Sequence, residues 1–243
     1  MINIIYFEQL ESTNSYLKDQ LSNHLHGDCI VAGNQTNGRG QQGAVWESQP
    51  NQNLTFSLLV DWNRVNIQDQ FRISKLVSIV VLSELKLMIP KADVKIKWPN
   101  DIYVNGKKIG GILIENTLLN KEVERSIIGI GLNINQTDFA DFGNKKATSL
   151  KLETDKEFEP ISVLKTIGDA LLNEVNTGRI HDFRTLDRVY LNHLYRFKTK
   201  SLFYKNNLAF EGEILNVSPS GKLMIETYNG VESFDIKEVE FKM

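Results

Sequence analysis

Two rhythms of apolar residues run along this chain, and the points where one replaces the other outline an α/β protein. Residues 2–7 read as a first strand, and Ser12-Thr13-Asn14 offers a helix N-cap. Leu17, Leu21 and Leu25 then recur at every fourth position, which predicts one face of an amphipathic helix. Cys29 to Gly33 reads as a short buried strand and Leu54 to Trp62 as a longer apolar one. From about Asn66 to Ile89, residues Phe71, Leu76, Val77, Val80, Val81, Leu85 and Met88 keep the helical period, and Pro90 stops it. Val123 to Asn135 returns to strand. Residues 160–178, opened by Pro160, form a second periodic helix through Val163, Leu164, Ile167, Leu171, Leu172 and Val175, and His181 to Tyr195 a third. From about Arg196 the chain breaks into short β-prone pieces at Asn206-Asn207, Pro219-Ser220-Gly221 and Asn229-Gly230, the spacing of a small barrel of about five strands. A boundary near 196 is expected, with 1–195 as one domain and 196–243 as a second.

The most structured stretch lies between the long helix and the Val123 strand. In Lys97-Trp98-Pro99-Asn100-Asp101-Ile102-Tyr103-Val104-Asn105-Gly106-Lys107-Lys108-Ile109-Gly110-Gly111-Ile112-Leu113-Ile114-Glu115, the Asn105-Gly106 pair predicts a tight type I′ hairpin. A two-residue turn sets Val104 opposite Lys107, Tyr103 opposite Lys108 and Asp101 opposite Gly110. Asp101, Tyr103 and Lys108 then share a charged face, and Ile102, Val104 and Ile109 a core face. Gly110-Gly111 removes two side chains in a row, the mark of a bulge or of a close approach by something flat. Gly129-Ile130-Gly131-Leu132-Asn133 similarly leaves room for a neighbouring backbone or a ligand.

A second candidate region is Gln35-Thr36-Asn37-Gly38-Arg39-Gly40-Gln41-Gln42-Gly43-Ala44-Val45-Trp46. Its glycines, with an arginine among them, predict a mobile loop whose N–H groups can turn around an anion. It is not a Walker loop, because no Gly-Lys-Ser/Thr follows.

Composition narrows the partners. With 28 basic and 30 acidic residues and a net charge of −2, nucleic acid is not expected as the main partner. No window approaches the roughly 20 apolar residues that span a bilayer, and the N-terminus has no basic n-region of a signal peptide. The single cysteine, Cys29, sits in an apolar run and reads as core, with a reducing cytoplasm as the expected compartment. His24, His26, His181 and His193 make no metal-ligand or triad spacing.

The Lys97-Trp98-Pro99-Asn100-Asp101 run, followed by Lys108-x-x-Gly111-Ile112-Leu113-x-Glu115, resembles the signature of biotin-protein ligases. The glycine loop resembles that family's Gln-x-x-Gly-Arg-Gly-Arg-x-Gly-x-x-Trp, with Gln35, Gly38, Arg39, Gly40, Gly43 and Trp46 in register and Gln41 in place of its common second arginine. The resemblance implies a class II synthetase-like α/β (α+β) domain, a mixed sheet backed by helices, and a small C-terminal SH3-like β domain. It implies biotin and ATP as substrates, with Mg²⁺ held chiefly by the phosphates. The expected reaction makes biotinyl-5′-AMP and then acylates a lysine of a biotin carboxyl carrier protein. Site roles follow by position. Ser12, Thr13, Asn14, Gln35, Gly38, Arg39, Gly40, Gln41, Lys108 and Gly111 are expected around biotin. Arg39, Trp46, Lys97, Asn100, Asp101, Lys108 and Asn133 are expected around ATP or the adenylate. Lys108, Arg39 and Asp101 are the expected catalytic groups, Asp101 either ordering the adenylate or deprotonating the incoming lysine. Ala147-Thr148-Ser149-Leu150 resembles the adenine-side loop of the family.

Three other readings stand beside this one: a lipoate or octanoate ligase of the related fold, a biotin-responsive repressor, and a non-catalytic biotin binder. With only about ten residues before Ser12, no N-terminal DNA-binding unit is expected. Monomer and homodimer both remain open.

Overall fold

The computed structural model describes residues 1–139 and 147–242. The alternating runs pair into one mixed sheet made of β1 (Asn3–Leu10), β2 (Asp28–Gln35), β3 (Leu54–Asn66), β4 (Val94–Lys97), β5 (Asp101–Val104), β6 (Lys107–Leu119) and β7 (Glu122–Leu132). In space they run β1-β2-β3-β7-β6-β5-β4; β1 and β2 are parallel and the other neighbours antiparallel. Central strand β3 is buried on both faces, which accounts for its unbroken apolar sequence.

Alternation sorts its side chains between two layers. Leu58 and Val60 face the helices α2 (Phe71–Met88), α4 (Pro160–Asn176) and α5 (Phe183–Asn192), which back the sheet. Leu59 points the other way, packing with Ile30 and Ile127 on Leu17 of α1 (Thr13–Asp19). Burying a leucine such as Leu17 contributes about 2 kcal/mol and anchors this short helix.

Two expectations need correction. Helix α1 does not continue through Leu25: it ends at Asp19, Leu21–Asn23 form a 3₁₀ turn, and Leu25 is exposed. The chain leaves the helix to reach β2, held by His24 Nδ1 at 3.0 Å from Asp28 Oδ2. Of the three leucines, Leu17 is buried from the helix, Leu21 packs beside it from the 3₁₀ turn and Leu25 is left in solvent. In the hairpin, Asp101 pairs with Gly111, not Gly110, because a bulge inserts Ile109 between the Tyr103–Lys108 and Ile102–Gly110 pairs. The Asn105-Gly106 turn itself forms as expected, with φ of 50° and 76°.

The remaining strands, β8 (Ser201–Lys205), β9 (Leu208–Val217), β10 (Leu223–Thr227), β11 (Gly230–Phe234) and β12 (Glu240–Phe241), make a second, antiparallel sheet in the order β11-β10-β9-β8-β12. It docks through buried polar bonds. Trp98 Nε1 donates to the Gly221 carbonyl at 2.9 Å, and Lys75, 1% exposed on α2, donates to Asp187 Oδ1 at 2.7 Å and to the Val217 carbonyl at 3.1 Å. A lysine inside a core helix face was not anticipated from the apolar period around it.

Candidate active site

One cavity of about 580 Å³ opens on the α1 side of the sheet, and its floor is made by glycines on β6 and β7. Their lack of side chains is a packing requirement. A Cβ at Gly129 would run into Asn14 Oδ1, and one at Gly131 into the Trp46 ring. At Gly111 a Cβ would stand 3.4 Å from Trp46 and 3.6 Å from Lys108 Nζ. What comes close to these alternating glycines is therefore, in the first instance, the protein's own Asn14 and Trp46.

The inner end of the cavity is polar. Ser12 caps α1, accepting from Ser15 N at 3.4 Å, while Thr13, Asn14 and Ser12 itself are buried. Gln35 Oε1 accepts from Thr13 N at 2.8 Å and from Thr13 Oγ1 at 3.1 Å. Ser57 on β3 lies 2.7 Å from Thr13 Oγ1 and 2.6 Å from Asn14 Oδ1. Ser57 escaped the sequence reading, its one signal being that it and Thr55 put two hydroxyls into the apolar β3 run. A chain of paired donors and acceptors held this way stays oriented and can exchange bonds with a rigid polar ring.

Residues 38–46 close over this floor as a flap. Gly40 N donates to Ala44 O at 2.7 Å and Trp46 N to Gly38 O at 2.9 Å, so part of the flap's N–H complement is spent on its own fold. Gly38 does not line the cavity: a Cβ there would meet the Trp46 carbonyl. Gln41 does line it, and its Oε1 is buried without a hydrogen-bond partner. Lys237 from the C-terminal sheet donates to the Gln42 carbonyl at 2.5 Å, tying the flap's tip to that sheet.

Two cation–carboxylate pairs face the cavity. On the hairpin, Lys108 Nζ lies 2.6 Å from Asp101 Oδ1, the two side chains sharing the face that strand alternation from the Tyr103–Lys108 pair gives them. On the flap, Arg39 makes a two-pronged contact with Glu115, at 3.2 Å and 3.3 Å, and reaches Ser15 Oγ at 3.3 Å. Burial pushes the Glu115 carboxyl up, but the Asn14 amide, the Arg39 guanidinium and Lys18 outweigh it and hold the group below the usual carboxylate range.

Lys97 and Asn100 also line the cavity, yet each is anchored. Lys97 Nζ donates to the Tyr103 hydroxyl at 3.3 Å, and Asn100 Nδ2 to the Ile112 carbonyl at 2.8 Å. Tyr103 was expected on a charged face; it is buried between Lys97 and the Tyr195 ring, and burial followed by the nearby Asp101 charge raises its hydroxyl pKa. Asn133 lies off the cavity wall. Its Nδ2 donates to the Thr148 carbonyl at 2.9 Å, fastening the Ala147–Leu150 segment, which leads into the short helix α3 (Leu150–Thr154), to the sheet. Ser12, Thr13, Asn14, Gln35, Arg39, Gly40, Gln41, Trp46, Lys97, Asn100, Asp101, Lys108 and Gly111 all reach one cavity.

The C-terminal sheet supplies a wall that the sequence did not announce, including Ile236, Lys237, Val239, Glu240 and Phe241. With it the lining carries Arg39, Lys97, Lys108 and Lys237 against Asp101 and Glu240, a balance that favours anions. Among the described residues no group of three or more His, Cys, Asp or Glu is placed to hold a metal ion, and no helix is long and apolar enough to cross a membrane.

A polar recess, a glycine floor and two cations thus meet beneath a flap on one side of a mixed sheet. The chain belongs to the biotin/lipoate A/B protein ligase family, whose model matches residues 6–133. It is 29% identical over 241 residues, 98% of this chain and 74% of the relative, to the bifunctional ligase/repressor BirA of Bacillus subtilis. It is also 38% identical over 133 residues, 54% of this chain and 36% of the relative, to the chloroplastic biotin–protein ligase 1 of Arabidopsis thaliana. Among solved structures, the Aquifex aeolicus biotin protein ligase in complex with biotin and ATP superposes with a TM-score of 0.79 at 25% identity, covering 99% of this chain and 98% of that one. The Leishmania major enzyme in complex with biotin superposes with a TM-score of 0.66 at 25% identity, covering 97% and 99%.

Proposed function

We infer that this chain is a biotin-protein ligase, joining biotin to a lysine through an acyl-adenylate. The observation that carries the reading is the convergence, in one cavity, of the Thr13–Asn14–Gln35 network with Lys108 and Arg39. A cyclic urea presents two N–H donors and one carbonyl acceptor, and the inner network offers the complementary amide and hydroxyl groups. The carboxylate at the other end of the same substrate then lies toward the cations.

In the first step a biotin carboxylate oxygen attacks the α-phosphorus of ATP, and the bond to pyrophosphate breaks. Two anions must meet while charge builds on phosphorus. Fixed cations aimed at that point lower such barriers by several kcal/mol, and positioning contributes more. We assign Lys108 to the carboxylate and α-phosphate and Arg39, on the flap, to the phosphate side. Trp46 covers the glycine floor; Gln41 stands where relatives commonly carry a second arginine and offers an amide instead of a charge. In the second step a lysine amine attacks the mixed anhydride, a C–N bond forms and AMP leaves. Asp101, paired with Lys108, either takes the amine's proton or orders the adenylate. Mg²⁺, bound chiefly through the phosphates of ATP, would add charge neutralisation there. We place the reacting groups in residues 1–195, with 196–243 a small β domain whose residues 236–241 complete the cavity wall; the acceptor is a biotin carboxyl carrier protein, met in a reducing cytoplasm.

The test is incubation with ATP, Mg²⁺ and labelled biotin, with and without a carrier domain. The expected outcome is pyrophosphate exchange that needs biotin, and label on one carrier lysine. Exchange triggered by lipoate or octanoate in place of biotin overturns the assignment.

A further inference from the structure

Glu115 has no part in the reaction as written above, and it does not line the cavity. Yet its carboxylate gathers groups from two elements that do. It accepts from Asn14 Nδ2 at 2.9 Å and from both terminal nitrogens of Arg39, and Lys18 Nζ approaches it at 3.5 Å. Asn14 and Lys18 belong to α1, Arg39 to the flap, and Glu115 to β6, so one carboxylate joins the polar recess, the lid and the floor.

An exposed ion pair in this position would contribute little. Three features set this one apart: Glu115 is only 22% exposed, the guanidinium contact is two-pronged, and an amide donor shares the same carboxylate. Charge-assisted and networked bonds of this kind are the ones that fix geometry. The flap's internal bonds shape it, but they do not attach it to the sheet; the Arg39–Glu115 contact does, from the recess side.

We propose that Glu115 is a positioning residue: it docks the flap by capturing Arg39, and through Asn14 it makes the polar recess and the closed lid depend on a common anchor. The proposal rests on the assignment of Arg39 above. Its consequence is retention, since an activated acyl-adenylate must be kept from water until the acceptor lysine arrives.

The experiment is hydrogen exchange on the unliganded full chain, followed at the Gly40 and Trp46 amides, which are bonded within the flap. Glu115→Gln keeps the shape and removes the charge. Flap exchange should rise about tenfold, the effect of losing one charge-assisted bond, while the Ile112 amide, bonded to the Asn100 carbonyl, stays unchanged. Arg39→Gln should raise flap exchange equally, and the double variant should be no worse than either single one. In turnover, Glu115→Gln should raise the KM for biotin and release free biotinyl-adenylate, and it should lower kcat for pyrophosphate exchange less than Arg39→Gln does, because the guanidinium itself is kept. Unchanged flap exchange in Glu115→Gln, or effects of the two substitutions that simply add, overturns the proposal. If Glu115→Gln does not fold, Arg39→Lys reads the same contact while leaving the Asn14 bond in place: faster flap exchange supports docking, and unchanged exchange overturns it. The exchange measurement needs no substrate, so it fails or succeeds separately from the biotin dependence that tests the function.

Discussion

The two cation–carboxylate pairs of the site are built in opposite ways. Lys108 and Asp101 sit seven positions apart on neighbouring strands of one hairpin, locked by a type I′ turn and a bulge at a separation of 2.6 Å. Arg39 and Glu115 are 76 positions apart, one on a flap and one on the sheet, and meet at 3.2 Å with Arg39 still 40% exposed. The first pair is carried by rigid backbone, so its geometry exists before substrate arrives. The second depends on where the flap lies. Adenylation thus draws on two kinds of order, a preformed charge in the sheet and a charge delivered by a lid, and retention on the second.

The sharpest way to break this comparison is Lys108→Ala. If the hairpin cation is the preformed one, biotin-dependent pyrophosphate exchange should fall by about 10²–10³-fold, the loss that follows removal of one preorganised donor. The fold should survive, because Lys108 is partly exposed and, among the described residues, its ammonium pairs with the Asp101 carboxylate alone; thermal unfolding should move by only a few degrees. Exchange at the wild-type rate would remove Lys108 from the mechanism.

Asp101→Asn comes next, and it separates the two roles left to that carboxylate. The amide keeps the contact to Lys108 and cannot take a proton. A base role predicts that transfer to the carrier falls by about 10²-fold while adenylate formation is nearly kept. An ordering role predicts equal loss in both steps. Single-turnover measurement of each step decides.

The same contrast explains what could be read from the chain. Asn105-Gly106 and Gly110-Gly111 are local signals with local causes, a positive φ pair and a gap in the side chains that Trp46 approaches, so the hairpin and its lysine were legible. The error there was one residue of register: Gly110-Gly111 suggested a bulge or a close approach, whereas the bulge falls at Ile109 and moves the partner of Asp101 from Gly110 to Gly111. The partner of Arg39 was not legible, because nothing in Gly38-Arg39-Gly40 states which distant carboxylate it meets. The wall formed by Ile236 to Phe241 is a third case, since a strand end in a separate sheet reaches the cavity only through tertiary docking by Trp98 and Lys75. Helix α1 failed differently. Leucines at every fourth position satisfied the period, but the chain had to turn early to reach β2.

A smaller effect should come from Gly129→Ala, which loads the flap pair while sparing the hairpin. The added methyl would collide with Asn14 Oδ1, displacing the amide that shares Glu115 with Arg39. We expect the KM for biotin to rise about tenfold, the value of one or two buried hydrogen bonds, with kcat changed much less. An equal fall in kcat would mean that the recess and the hairpin are one mechanical unit, and the contrast drawn above would dissolve.

The smallest effect is a pH dependence of the flap pair. Asn14, Arg39 and Lys18 hold the Glu115 carboxyl below its ordinary value against the opposing effect of burial. A depressed folded-state pKa means that the unfolded chain takes up the proton first. The stabilisation is therefore complete above the ordinary carboxylate range and is lost as pH falls through the lowered value. Flap amides should accordingly lose protection on acidification below the usual carboxylate range, before the β6–β7 amides do. In Glu115→Gln, which has no proton to gain at that position, this step should disappear and leave the flap equally loose on both sides. Hydrogen exchange across that interval, wild type against variant, measures it; a step of the same size in both proteins would assign the acid sensitivity to some other carboxylate and leave Arg39 held by contacts that do not titrate.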